Sequence, residues 1–316
     1  MNSKKEYREL CNIDESIPLF SQAWWLDATA GDASWDVILY KDKNKNIIGS
    51  LPFQFKKKLF FKIITSPRLT QTLGPWIKTD HSQKYAKKLS TEKQIITSLY
   101  KQLPKYDLYQ QNWHPNYINW LPAYWLGYKQ TTNYTYVIDA LSDLDSIWKN
   151  FENSTRTEIK KAINRFNLSV TIEDNIEEFI RLNRLVFKRQ NMQPPYSDEY
   201  VRNLDKACKK RNCRAIFFAR DDNNIAHAAE YIVWDKNRVY DLMGAADPDL
   251  RKSGATSLCM WEAIKFTHSK SKIFDLEGSM IEPIEKLFRA FGAKQVPYFK
   301  ITKTNSNLLK LYNLIK

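Results

Sequence analysis

Two hydrophobic periods alternate along the chain, and their order sketches the fold. Asp36–Phe55 (DVILYKDKNKNIIGSLPFQF) and Arg214–Trp234 (RAIFFARDDNNIAHAAEYIVW) each read as an apolar strand, a turn of Asp, Asn and Lys or Arg, and a second strand opening on Ile. Such a polar turn between two β-rich runs predicts a hairpin. Helical patterns precede both, over Ser21–Ala30 and Ser197–Lys210, which favours two halves of like architecture. Between them Tyr134–Asp139 reads as a strand, and Ser142 and Asp143 offer caps to a helix starting near Leu144. A helix over Thr155–Phe166 places Ile159, Ala162, Ile163 and Phe166 on one face and Arg156, Lys160, Lys161 and Arg165 on the rest. Another runs over Ile176–Gln190 and ends before Pro194–Pro195. The expected domains are 1–145 and 146–316.

The second half has the clearer order. Strands are predicted at Arg214–Arg220, Ala226–Trp234 and Arg238–Ala245, a helix at Gly254–Ser269, and a strand at Lys272–Glu277. A helix at Pro283–Phe291, a strand at Gln295–Thr302 and a short helix at Ser306–Ile315 follow. Hairpin, strand, helix, strand, helix, strand is a mixed sheet of α/β (α+β) type.

Composition narrows the class. A length of 316 residues fits two domains, and 43% hydrophobic with 27% charged residues excludes disorder, collagen and coiled coil. The net charge of +14 favours anionic partners: phosphates, nucleotides, RNA or an anionic membrane surface. Cys11, Cys208, Cys213 and Cys259 form no CxxC, as expected of reduced thiols in a cytoplasmic protein. The segment MNSKKEYREL lacks an apolar core and no apolar run approaches 18 residues, so neither a signal peptide nor a membrane span is expected. His81, His114, His227 and His268 show no metal spacing, and no metal is expected. There is no Walker or GxGxxG motif and no suggestive Ser-His-Asp or Cys-His order.

Candidate chemistry gathers near the C-terminus. Four of the eight glycines, Gly244, Gly254, Gly278 and Gly292, stand at element boundaries there. Gly244 ends a strand; Arg251, Lys252 and Ser253 lead through Gly254 into a helix. Free N–H groups at a helix start, flanked by cations, make an anion-binding arrangement. On the next strand, alternation sends Phe274 and Leu276 to one face and Asp275 and Glu277 to the other. Two carboxylates at a strand mouth need partners or solvent, and Arg289 is expected to hold one of them or a phosphate.

These residues resemble a known family. Arg251-x-x-Gly254-x-Thr256 is similar to the pyrophosphate loop of GNAT acyltransferases, with Thr256 departing at the last position. Phe274–Met280 (FDLEGSM), Phe288–Ala293 (FRAFGA) and Tyr298, with the RKSGATSLCMWEAI helix, resemble the FemAB-related, GNAT-fold acyltransferases. Thr155–Val170 looks like the basic helix opening their second domain, and Leu69–Lys78 is similar to their Gly-Pro segment. The resemblance implies two tandem GNAT-like domains, each a mixed, mostly antiparallel sheet flanked by helices. It implies transfer of an acyl group to an amine of an anionic acceptor: a nucleotide sugar, lipid-linked sugar or cell-envelope precursor. Acyl-CoA is the expected donor, held by Gly244, Arg251, Lys252, Ser253, Gly254 and Thr256. The alternatives are an aminoacyl-tRNA donor, or a degenerate pair acting as a binding module; peripheral contact with a membrane is compatible with either chemistry. Acyl transfer needs a base for the attacking amine, for which Glu277 or Asp275 is expected, with Glu230 next. It needs backbone N–H donors for the carbonyl oxygen, expected between Tyr240 and Ala245, and a proton donor to the leaving group, for which Tyr298 is the candidate. The acceptor is expected in a cleft between the domains, against Trp76, Arg156, Lys160 and Arg289.

Overall fold

The computed structural model describes residues 3–79, 82–139, 141–268, 270–278 and 280–315; His81 lies outside them. In chain order the elements are α1 (Ser3–Ile13), α2 (Ala23–Ala30), β1 (Trp35–Lys41), β2 (Ile47–Lys58), β3 (Phe61–Thr65), β4 (Trp76–Ile77), α3 (Tyr85–Lys101), β5 (Leu108–Asn112), α4 (Leu121–Trp125) and β6 (Lys129–Ile138). Then come α5 (Leu144–Asn150), α6 (Asn153–Phe166), β7 (Ser169–Ile172), α7 (Ile176–Arg189), α8 (Asp198–Lys210), β8 (Arg214–Arg220), β9 (Ala226–Trp234), β10 (Val239–Ala246), α9 (Ala255–Thr267), β11 (Phe274–Asp275), α10 (Glu282–Ala290), β12 (Lys294–Thr304) and α11 (Asn307–Ile315).

The chain forms two compact units. One comprises Met1–Asn133 with Pro297–Lys316, the other Tyr134–Val296. This differs from a single boundary at 145: most of β12 and the last helix return to the first unit, because β12 pairs with β5 from Lys300↔Asn112 to Thr304↔Leu108. In the first unit the strand order is β1-β2-β3-β5-β12, with β4 beside β2. Its core includes Leu51, Ile64, Leu99, Tyr109, Trp113 and Ile301.

The second unit carries the order β6-β11-β10-β9-β8-β7. All its pairings are antiparallel except β10 with β11. Both hairpins predicted from sequence form, β1–β2 and β8–β9. Helices begin where caps stand: the side chains of Asp143, Asn175 and Ser197 accept from the amides of Ser146, Glu178 and Tyr200. On α6 the buried stripe is Thr155, Ile159 and Ala162, whereas Ile163, expected inside, is 46% exposed. The core beneath α6 and α9 includes Ile159, Ala162, Ile232, Leu258, Ile264, Phe274 and Phe291.

The strand expected at Lys272–Glu277 shrinks to Phe274–Asp275. Its backbone leaves the ladder after Leu276, whose N–H still reaches Tyr136 O, because Glu277 takes φ 63. A left-handed conformation cannot continue a strand.

Candidate active site

The place where β10 and β11 part organises the second unit. They pair only at Val239↔Phe274 and Tyr240↔Asp275. β10 then runs on to Ala246, with a bulge between Asp241 and Met243, while β11 turns away. A bulge re-aims side chains and is a common device next to active sites.

Asp275 holds the turn together. It is 3% exposed, accepts from Arg238 Nη1 at 2.5 Å and from Glu277 N at 2.9 Å, and takes the Thr135 hydroxyl as well. Three donors tie this carboxylate into the turn. The sequence expected Arg289 as a partner for this pair or a phosphate. Arg289 instead pairs with Glu285 and Glu152, and Arg238 holds Asp275. Glu277 is 7% exposed, with its charge felt at the buried Tyr240 hydroxyl.

A second pair of carboxyls, Glu230 and Asp241, lies beyond the fork. β10 and β9 pair Gly244 with Glu230 and Asp241 with Ile232, two residues along, so the two acids share a face. Glu230 is 2% exposed, and burial, then the charge of Asp241, pushes its carboxyl well above the usual range. Burial also raises Asp241, to about 6, against a hydrogen bond with Glu230 that lowers it. Asp241 Oδ1 is buried with no hydrogen-bond partner among the described residues. The adjoining Gly244 is exposed, and a Cβ there would stand 3.2 Å from Glu230 Oε1. Glycine therefore leaves the acid pair room at a surface opening, while its carbonyl is tied to Asn183 Nδ2 at 3.0 Å. Sequence reading found Glu230 but missed Asp241. The available signal was an Asp inside an otherwise apolar strand, VYDLM, where β-propensity disfavours it.

The expected anion loop follows β10. Arg251–Ser253 form a single 3₁₀ turn, Gly254 takes φ 81, and α9 begins at Ala255. Leu258 N makes the first helical bond, to Gly254 O, so the amides of Thr256 and Ser257 belong to the unsatisfied first turn. The Ser253 hydroxyl accepts from Ala255 N at 3.4 Å. Arg251 and Lys252 are exposed and make no ion pair among the described residues. A Cβ on Gly254 would meet Glu158 O at 2.3 Å, with Glu158 Oε2 at 3.3 Å. The glycine thus serves both a left-handed turn and a close approach to α6. Gly254→Ala is expected to cost about 2 kcal/mol or more in urea denaturation; a loss below about 0.5 kcal/mol would mean that the loop and α6 separate freely.

The residues assigned to the acceptor are dispersed in role. Trp76 is 1% exposed, a core residue whose indole donates to Ser16 Oγ at 3.0 Å, and it offers no binding surface. Arg156 Nη1 donates to the carbonyls of Trp148 and Lys149 at the end of α5. Lys160 is exposed on α6. Tyr298 is half-buried on β12, in the first unit. Among the described residues, no group of three or more His, Cys, Asp or Glu side chains is arranged to hold a metal ion.

Comparisons with known proteins bear on the second unit and on the fold. Residues 149–276 match the model of the acetyltransferase (GNAT) domain. That span contains Glu230, Asp241, the 251–254 loop and Asp275. No curated protein matches the sequence. Among solved structures the chain is similar to FemX (TM-score 0.69, 14% identity, covering 100% of this chain and 98% of that one). It is similar to L-PGS from Bacillus licheniformis (0.56, 9%, 99% and 94%) and to a tandem GNAT protein from the clavulanic acid biosynthesis pathway (0.52, 10%, 94% and 97%). The second unit therefore carries the match to the acetyltransferase (GNAT) domain, over residues 149–276, and the whole chain shares the fold of FemX and of a tandem GNAT protein.

Proposed function

We propose that the protein is a cytoplasmic N-acyltransferase that moves an acyl group from acyl-CoA to the amine of an anionic cell-envelope or polysaccharide precursor, a nucleotide sugar or lipid-linked sugar. The observation that carries this reading is the Glu230–Asp241 pair behind the exposed Gly244, where β10 outruns β11. An attacking amine must lose a proton. Asp241, ionised just above its raised value and with Oδ1 unpartnered, is suited to take it. Burial and the charge of Asp241 both push the Glu230 carboxyl up, which favours one shared proton and a single negative charge in the pair over two. Backbone N–H groups of β10 beyond Tyr240 supply donors for the carbonyl oxygen. Asp275, fixed by Arg238 and Thr135, positions the Glu277 turn rather than acting as base.

An acyl-CoA would bring an activated thioester. Arg251, Lys252 and the first-turn amides of α9 would hold its anionic end, with Gly244, Ser253, Gly254 and Thr256 shaping the approach. Replacing Arg251 and Lys252 together by Ala is expected to weaken CoA binding about tenfold or more in calorimetry while leaving the fold intact. Unchanged affinity would remove the loop from donor binding. A panel of amino-sugar nucleotides with acetyl-CoA should release free CoA; no turnover and no CoA binding would defeat the reading.

One observation favours an aminoacyl-tRNA donor instead. Glu158 presents its backbone carbonyl and carboxylate at Gly254, which disfavours a pyrophosphate there. That reading predicts tRNA retention on filters with a steep salt dependence, and no retention at low salt removes it.

A further inference from the structure

The β2–β3 hairpin ends in an unusual tip. Lys58 pairs with Phe61, so the turn consists of Leu59 and Phe60 alone. Two-residue hairpins favour Asn and Gly, because their first residue takes positive φ. Here Leu59 takes φ 55. Leu59 is 85% exposed and Phe60 69% exposed, and the Phe60 and Phe61 rings pack on each other at 4.2 Å. The arms are as unusual as the tip. Lys57 stands directly across from Lys62, a like-charge pair that destabilises a ladder. Lys56, Lys57 and Lys58 are all exposed, and residues 43–79 contain no Asp or Glu. Asp107 accepts from the backbone N–H of Lys62 at 2.8 Å. The charge of Arg68 also bears on the Lys56 ammonium.

Each choice opposes the stability of a free hairpin: apolar side chains in water, Leu in a left-handed turn, and lysines facing lysines. All three are relieved by one partner with an apolar interior under an anionic surface. We propose that the β2–β3 hairpin docks on an anionic lipid bilayer, with Leu59 and Phe60 entering the headgroup boundary and Lys56, Lys57, Lys58 and Lys62 meeting the lipid phosphates. Nucleic acid fits less well, since Leu59, the most exposed residue of the tip, has no ring on which a base could stack. The proposal does not rest on the acyl-transfer reading, because vesicle binding needs neither donor nor acceptor.

The test is co-sedimentation of the full chain with vesicles of equimolar phosphatidylcholine and phosphatidylglycerol, and with phosphatidylcholine alone. Binding is expected to the mixed vesicles and to weaken with salt. Lys57→Gln with Lys58→Gln should weaken it roughly 25-fold, about fivefold for each charge removed. Leu59→Gly with Phe60→Asn places glycine at the position of positive φ, so that variant should melt no lower than the parent and yet bind at least about tenfold more weakly. Equal binding to both vesicle types, retained binding in the Gly-Asn variant, or no binding at all would overturn the proposal. Loss of tRNA retention in the lysine variant, with vesicle binding unchanged, would reassign the hairpin to nucleic acid and overturn it equally.

Discussion

Asp241→Asn is expected to lower kcat by about 100-fold or more, the usual contribution of a positioned base, with little change in substrate affinity. The substitution keeps the side chain's shape and removes the charge that accepts the proton. In the parent protein, kcat should fall about tenfold per pH unit below 6 and level off above it, because Asp241 must be ionised and burial raises it to about 6. Stability runs the other way. A carboxyl whose folded value is raised binds its proton more tightly when folded, so its stabilising contribution is full below the unfolded value near 4 and is lost as pH rises through about 6. The Asn variant should therefore melt a few degrees higher than the parent at pH 8 and match it near pH 4. Full activity in this variant would remove Asp241 from the chemistry; a melting point unchanged at pH 8 would show that the site is wetter than its burial implies.

Arg238→Met should cost about 3–5 kcal/mol in urea denaturation, because it leaves Asp275 charged and buried without its cation. Both side chains of the pair are under one-tenth exposed. Adding Asp275→Leu should recover at least half of the loss, since an apolar pair needs no mutual compensation. Recovery should stay incomplete, because Asp275 also accepts from Glu277 N and so shapes the turn at φ 63. The single variant should lose activity through that displaced turn. A loss below about 1 kcal/mol would show that water reaches Asp275 easily and that Arg238 does not hold the turn.

How much was legible varies element by element. β8 and β9 fall on the predicted residues, because a long apolar run broken by Asp221–Asn224 leaves no other register for the turn. The helix start at Leu144 was legible from its caps, which act within a few residues of the chain. Ile163 was misassigned: helical spacing defines a wide stripe, and its buried edge depends on what packs there. Trp76 looked like a binding aromatic beside Gly-Pro, yet it fills the first unit's core.

By itself the sequence determined the local periods, the caps, the turn residues and the block of residues that resembles one enzyme family. These are short-range properties, set by side-chain alternation and by hydrogen bonds between near neighbours. Tertiary structure alone decided which charges meet. Arg238 rather than Arg289 reaches Asp275, because the parallel pairing sets Tyr240 against Asp275. Asp241 joins Glu230, because the antiparallel register and its bulge place both on one face beside Gly244. Partners of buried charges are chosen by strand register between segments far apart in the chain, and no local pattern encodes that register.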